Sequence, residues 1–300
     1  MAPEKNHFIL SCESTADLIY SEFDKRNIPF ICYTYIADGQ EYSDTMGRDP
    51  HEKQRFYALV DRGILPSTSR INPELYLSYF ESLPEEGDLV HITLGTGMTG
   101  SYTCALQAAE EYRALHPQRQ IYVIDSLCSS AGYGLLMTLA ADIRDSGADT
   151  DTFLTRLDPL RTRIQHRFFC TDLAFFKRSG RVNGISAAVG TLLNLCPLMC
   201  LNRAGQIVMF GKCRGVHKAA RKTAEDMLLW AENSADYDGL CYINHSRCPE
   251  YAAIMEKEIV RLMPRLEGRI RIFDIGPVIA SHCGPGTCTI YFMGKNIRDE

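Results

Sequence analysis

The chain has 300 residues, 45% of them apolar and 23% charged, with a formal charge of −5. That size and balance describe one large or two medium globular domains, and the acidic excess argues against a nucleic-acid surface or an anionic membrane as the main partner. No apolar run reaches the ~18 residues of a membrane-spanning helix, and the first residues enter a strand-like segment without a signal-peptide core, so a cytoplasmic protein with no stable membrane insertion is expected.

Residues 7–11 read as a strand. Ser14 with Asp17 three residues on has the form of a capping box, opening a helix with Leu18, Ile19 and Phe23 on one face. A second strand over 30–36 breaks at Ala37-Asp38-Gly39, and residues 50–62 form an amphipathic helix. Asn72 as N-cap and Pro73 at the first helical position start a helix to about Leu83, which leaves Ser67-Thr68-Ser69 as loop at its entrance. A strand over 88–94 feeds the glycine-rich turn Gly95-Thr96-Gly97-Met98-Thr99-Gly100-Ser101, and a helix leaves it. The strand over 121–126 and a small-residue helix over 131–146 follow. This alternation predicts a parallel α/β sheet and an N-terminal domain over 1–148.

The C-terminal domain is expected over 149–300. Its elements are a helix over 152–165, a strand over 167–173, a helix over 187–195 and a hairpin of 197–201 with 206–210. A helix over 217–233, a strand over 239–244, a helix over 249–263 and a strand over 271–275 follow. A loop over 276–286 and a closing strand over 289–293 complete it. Twelve scattered cysteines without any C-x₂-C pair read as reduced thiols packed as small hydrophobes, and no metal site is expected.

A strand, a glycine turn and a helix aim backbone N–H groups at an anion. Gly95-x-Gly97-x-x-Gly100, with Asp125 at the end of the next strand, has the context of a dinucleotide fingerprint. The alternative is a turn whose glycines serve close packing. A P-loop is excluded because Ser101 stands where its lysine would be. Thr96, Thr99 and Ser101 suit a small oxyanion, and the hydroxyls of Ser67, Thr68 and Ser69 could meet them over one charge. His282 sits in a glycine- and proline-rich loop, and Lys177, Arg178, Arg181, Lys212 and Arg214 concentrate positive charge in the second half. No Gly-x-Ser-x-Gly, HExxH or carboxylate pair marks a hydrolase.

Seven ordered segments together resemble the DegV family of bacterial fatty-acid-binding proteins across nearly the whole chain. Ser11-Cys-Glu-Ser14-Thr15-Ala16-Asp17-Leu18 is similar to its Asp-Ser-Ser/Thr-Ala-Asp-Leu start, with Glu13 for the usual Asp, and Asp38-Gly39 with Tyr42 and Asp44 to its next segment. Thr68-Ser69-Arg70-Ile71-Asn72-Pro73 resembles Thr-Ser-Gln-Pro-Ser-Pro, with Arg70 in place of Gln. Thr96-Gly97-Met98-Thr99-Gly100-Ser101-Tyr102 resembles Ser-x-Leu-Ser-Gly-Thr-Tyr, and Asp125-Ser126 fits as well. Lys177-Arg-Ser-Gly180-Arg181 is similar to Lys-Gly-Gly-Arg, and Pro197, Gly205 and Lys212-Cys-Arg214 match its hairpin. Gly276-Pro277-Val-Ile-Ala280-Ser281-His282-Cys283-Gly284-Pro285-Gly286 resembles Gly-Pro-Val-Ile-Gly-Thr-His-x-Gly-Pro-Gly.

The resemblance implies two α/β domains, the second with a largely antiparallel sheet, and a fatty acid between them. It implies no catalysis and no cofactor, a long-chain fatty acid as ligand, and an ATP-binding fatty acid kinase subunit as partner. The carboxylate is then expected at Thr68 and Thr96, with Ser69, Thr99 and Gly97 beside them, His282 either supporting these groups from behind or compensating charge, and Arg181 assisting. Thr96→Val is expected to lower affinity. Phe168, Phe169, Phe175, Phe176, Leu192 and Leu193 are candidate tunnel walls and equally candidate core. The remaining alternatives are a nucleotide-dependent enzyme using the Gly95 to Gly100 loop and a lipid carrier without a kinase role.

Overall fold

The computed structural model describes residues 8–182 and 195–299. In chain order the strands are β1 (Phe8–Glu13), β2 (Phe30–Ile31), β3 (Thr34–Ala37), β4 (Gln40–Ser43), β5 (Ser67–Ser69), β6 (Asp88–Thr93), β7 (Ile121–Asp125), β8 (Ile164–Cys170), β9 (Leu195–Leu201), β10 (Ile207–Arg214), β11 (Cys241–His245), β12 (Ile270–Asp274) and β13 (Thr287–Met293). The helices are α1 (Tyr20–Asp24), α2 (Glu52–Asp61), α3 (Pro73–Glu81), α4 (Ser101–Leu115), α5 (Ser130–Asp145), α6 (Thr150–Arg163), α7 (Ala174–Ser179), α8 (Val216–Trp230), α9 (Pro249–Leu262) and α10 (Pro277–Cys283).

Helical crossovers between apolar strands force parallel pairing, and the first sheet, in the order β2-β1-β6-β7, is parallel throughout. In the second half, hairpins and short returns give a six-stranded sheet, β10-β9-β8-β13-β11-β12. It is antiparallel except where α9 carries β11 over to β12. The fold is α/β with an N-terminal parallel sheet and a largely antiparallel C-terminal one, as expected. A third, small antiparallel sheet, β4-β3-β5, was not anticipated. Two of the three apolar clusters draw buried residues from both sides of position 148. Helix α5 packs against strands of both large sheets. Its Gly132 and Gly134 admit His166 and the Ala16 carbonyl where any side chain would collide.

Local departures have identifiable causes. The capping box at Ser14 does not form: Ser14 Oγ accepts the Tyr33 N–H at 2.9 Å, and Asp17 turns left-handed (φ 48°) after a short 3₁₀ turn. Helix α1 therefore starts only at Tyr20. The expected strand over 30–36 is split between two sheets, because β2 follows β1 while β3 pairs with β5. Ser67-Thr68-Ser69 is that β5 strand rather than loop. The expected loop over 276–286 contains α10, opened by Pro277. The Asn72 cap holds, its Oδ1 accepting the Leu75 N–H at 2.8 Å. The helix expected over 187–195 lies outside the described residues, apart from Leu195, which begins β9. None of the twelve cysteines is in a disulfide, and no described helix is long and apolar enough to cross a membrane.

Candidate functional site

Strand β5, the turn after β6, helix α7 and helix α10 come together around one small cavity. Pairing of β5 with β3 presents Thr68, Ser69 and Arg70 at its rim. The glycine turn contributes Met98 and Thr99, the segment after α7 gives Arg181, and α10 gives Val278, Ile279 and His282. The cavity measures about 100 Å³. It shares Met98, Ser129, Phe176, Ile207, Ile279 and Cys283 with a second, more apolar space of about 60 Å³. That second space is bordered by Phe168, Leu201, Ile275 and Tyr291. A larger open groove of about 710 Å³, past Tyr20, Phe30 and Arg48, holds none of the residues singled out in the sequence.

At the polar end, Thr68 Oγ1 and His282 Nε2 are 2.7 Å apart. His282 Nδ1 is buried without a hydrogen-bond partner among the described residues. Burial, then Arg181 and Arg178, push the His282 pKa down to about 4, so the imidazole is neutral at pH 7. It acts as a hydrogen-bonding neighbour, and the positive charge here comes from arginines. The Arg178 guanidinium is anchored to the carbonyls of Pro66 (2.7 Å) and Ser281 (2.9 Å). Arg181 donates to the carbonyls of Met98 and Ser179. Arg70, where the resemblance leads one to expect Gln, lines the same rim without an acidic partner among the described residues. Thr99 Oγ1 lies 3.1 Å from Ser101 Oγ, which accepts the Tyr33 hydroxyl at 2.6 Å.

Thr68, Ser69, Thr99, Arg181 and His282 therefore share one cavity, and Thr96 and Gly97 do not. Thr96 donates from Oγ1 (2.6 Å) and from its N–H (3.1 Å) to the Asp125 carboxylate on the exposed side of the turn. Gly97 lacks a side chain because a Cβ there would stand 2.2 Å from the Gly205 carbonyl oxygen of the β9–β10 turn. Gly95 is filled in the same way by backbone, and Gly100 only by the end of a flexible side chain. A Cβ on Gly95 would meet the Cys128 backbone at 2.9 Å, and one on Gly100 the Arg70 guanidinium at 2.9 Å. At Gly95 and Gly97 the surface a pyrophosphate would approach is occupied by backbone, and Asp125 is spent on Thr96 and on the Leu127 N–H at 2.9 Å. The packing reading of the glycines is the one the geometry supports. Calorimetry with NAD(H) and NADP(H) is accordingly expected to register no binding; a saturable heat would restore the nucleotide reading.

Of the wall candidates, Phe168 and Phe176 line the cavities. Phe169 alternates to the opposite face of β8, where it packs with α8 and α9. Phe175 packs over Arg178 and against Gly284. Leu192 and Leu193 lie outside the described residues. Tyr33, Met98, Ser129, Ile207 and Ile279 were not picked out as site residues, since nothing local distinguishes them from core. Among the described residues no group of three or more His, Cys, Asp or Glu is placed to hold a metal ion.

Comparison with known proteins agrees with this architecture. The DegV family model, described as an uncharacterised protein family, matches residues 9–295. A DegV domain-containing protein of Clostridium perfringens is 29% identical over 288 residues, covering 96% of this chain and 97% of its own. A fatty-acid-binding DegV family protein from Thermus thermophilus superimposes with a TM-score of 0.81 at 26% identity, over 96% of this chain and 99% of its own. A stearic-acid-binding protein from Eubacterium ventriosum shares the fold with a TM-score of 0.83 at 22% identity, over 95% of this chain and 98% of its own. With the match running through nearly all of the described strands and helices, the chain belongs to the DegV family.

Proposed function

We propose that this protein binds one long-chain fatty acid. Its carboxylate lies at Thr68, Ser69 and Thr99 with His282 behind Thr68, and its acyl chain runs past Met98 and Phe176 toward Phe168, Leu201 and Ile275. The observation that carries this is the junction of a hydroxyl–imidazole pair, 2.7 Å apart and flanked by arginines, with an adjoining apolar space that shares its lining residues. The Thermus thermophilus relative, a fatty-acid-binding protein by description, supports the same reading. The two spaces are small beside the ~300–1,000 Å³ of ordinary ligand pockets. The chain enters by swinging aside the flexible Met98 side chain and the Phe176 ring. Each methylene then gains about 0.8 kcal/mol on burial, so the hydrocarbon supplies the affinity and the polar end sets the orientation.

The exposed arginine rim leaves the head group within reach of a partner. The protein performs no chemistry itself and presents the carboxylate to a separate ATP-binding fatty acid kinase subunit, which forms the acyl phosphate. Native mass spectrometry of the purified protein is expected to reveal one copurifying acyl chain per protein, released as fatty acid on denaturation. Protein repeatedly recovered bare, and still bare after incubation with palmitate, would overturn the reading. Acyl-phosphate formation on adding a kinase subunit and ATP separates the kinase role from that of a plain lipid carrier.

A further inference from the structure

Helix α10 carries Val278, Ile279 and His282 to the cavity, yet its first residues are held from the other half of the chain. Asp44, just after β4, accepts the Val278 N–H at 3.1 Å on Oδ2 and the Met46 N–H at 3.3 Å on Oδ1. Its own N–H is bonded to the carbonyl of Tyr33, another cavity residue, at 2.8 Å. Asp17 accepts the Ser130 hydroxyl at 2.5 Å on Oδ2. Its Oδ1 lies against Gly276, whose amide favours the ionised carboxylate without completing a hydrogen bond. Both carboxylates press on the same backbone: a Cβ on Gly276 would stand 2.6 Å from Asp17 Oδ1 and 2.8 Å from Asp44 Oδ2. Three separate sequence motifs, ending in Asp17, in Asp44 and opening at Gly276, thus meet at one point.

We propose that Asp44, backed by Asp17, is a positioning residue of the ligand site: it holds the Val278 amide, with Asp17 packed against Gly276 beside it, and so sets His282 against Thr68. The groups facing this clamp are Glu52 from α2, Ser130 from α5, Asn244 from β11, Tyr291 from β13, Cys283 from α10 and Cys32 between β2 and β3. No lysine or arginine pairs with either carboxylate among the described residues. Burial, and then Glu52, push the Asp44 pKa up to about 7; burial, and then Asp44, raise that of Asp17. The sign follows from the acceptors. An ionised carboxylate holds an N–H more strongly than a protonated one, so the grip tightens as pH rises through about 7 and slackens below it. His282, with its pKa near 4, does not titrate in that window. For folding itself the direction is opposite: a carboxyl whose pKa is raised in the native state disfavours folding increasingly between about 4, the unfolded value, and 7.

The inference rests on the fatty-acid reading for its consequence but not for its geometry, and two measurements separate them. In the protein alone, the Val278 and His282 NMR signals are expected to shift together with a midpoint near neutrality. Palmitate affinity is expected to fall about three- to tenfold from pH 8 to pH 6. Asp44→Asn keeps an acceptor for Val278 but cannot ionise, and is expected to change by no more than about twofold over that range. Signals of Val278 that do not move between pH 6 and 8, or the same pH profile in wild type and Asp44→Asn, would overturn the clamp. Failure of palmitate to bind at either pH would overturn the fatty-acid reading and leave the wild-type amide titration to decide the clamp. That titration also decides it if Asp44→Asn does not fold.

Discussion

Replacing Thr68 by valine is expected to weaken fatty-acid binding about tenfold to a hundredfold, the equivalent of roughly 1–3 kcal/mol. The swap keeps the shape of the side chain and removes the one hydroxyl bonded to His282. It leaves a buried imidazole nitrogen and the ligand carboxylate both short of a partner, and such unmet groups cost more than the average hydrogen bond contributes. His282→Ala is expected to cost a similar amount. Because the two side chains act on one head group, the double variant is expected to lose much less than the sum of the singles. Thr96→Val is the internal control. Its hydroxyl belongs to Asp125, so affinity is expected to stay within about twofold of wild type. Titration calorimetry with palmitate decides the matter, and a Thr68→Val protein that binds like wild type would move the carboxylate elsewhere.

The largest effect on stability is expected from Glu13→Ala, about 4 kcal/mol, or a fall in melting temperature of roughly 8–15 °C. Glu13 is wholly buried at the end of β1. Its Oε2 accepts the Leu94 N–H at 2.7 Å, and Oε1 accepts the Tyr76 hydroxyl. His91 Nε2 lies 3.8 Å away, and the Glu13 N–H donates to Tyr133 Oη at 3.0 Å. Removing the carboxylate strands the Leu94 amide and the Tyr76 hydroxyl with no route to water. Since Leu94 is the last residue before the glycine turn and itself lines the cavity, the variant is also expected to lose ligand affinity. Glu13→Asp, the residue usual in the resembling segment, keeps the charge but shortens the reach and is expected to fall between. A thermal melt of Glu13→Ala within about 3 °C of wild type would show that the network contributes little.

How far the sequence could be read depended on how local each determinant is. The Asn72-Pro73 helix start, the Asp38-Gly39 turn, the parallel order around β6 and the antiparallel hairpin of β9 and β10 rest on residues adjacent in the chain, and they could be read directly. The resemblance, and not adjacency, grouped Thr68, Ser69, Thr99, Arg181 and His282, and it put Thr96 and Gly97 in the same set, whereas the cavity is lined by neither. The capping-box pattern at Ser14 failed because Tyr33 offers that hydroxyl a better use than a helix end does. For Phe169 and Phe175 the core alternative is the one found, and sequence could not choose because a run of apolar residues does not state which face of a strand or helix meets the cavity.

By itself, then, the amino-acid sequence determined the family, the two kinds of sheet and the segments that carry the polar groups. The tertiary structure decided which of those groups face one another. Thr96 and Thr99 look alike in sequence, two hydroxyls on one glycine turn. Their separation into an Asp125 partner and a cavity wall is set by where the turn can lie, and that is set by Gly97 pressing against Gly205 of a distant hairpin. In the same way, Asp17 and Asp44 became part of the site only because Gly276 leaves them room to reach a helix from the other end of the chain. Such contacts depend on close packing between segments far apart in sequence, and no local pattern encodes them.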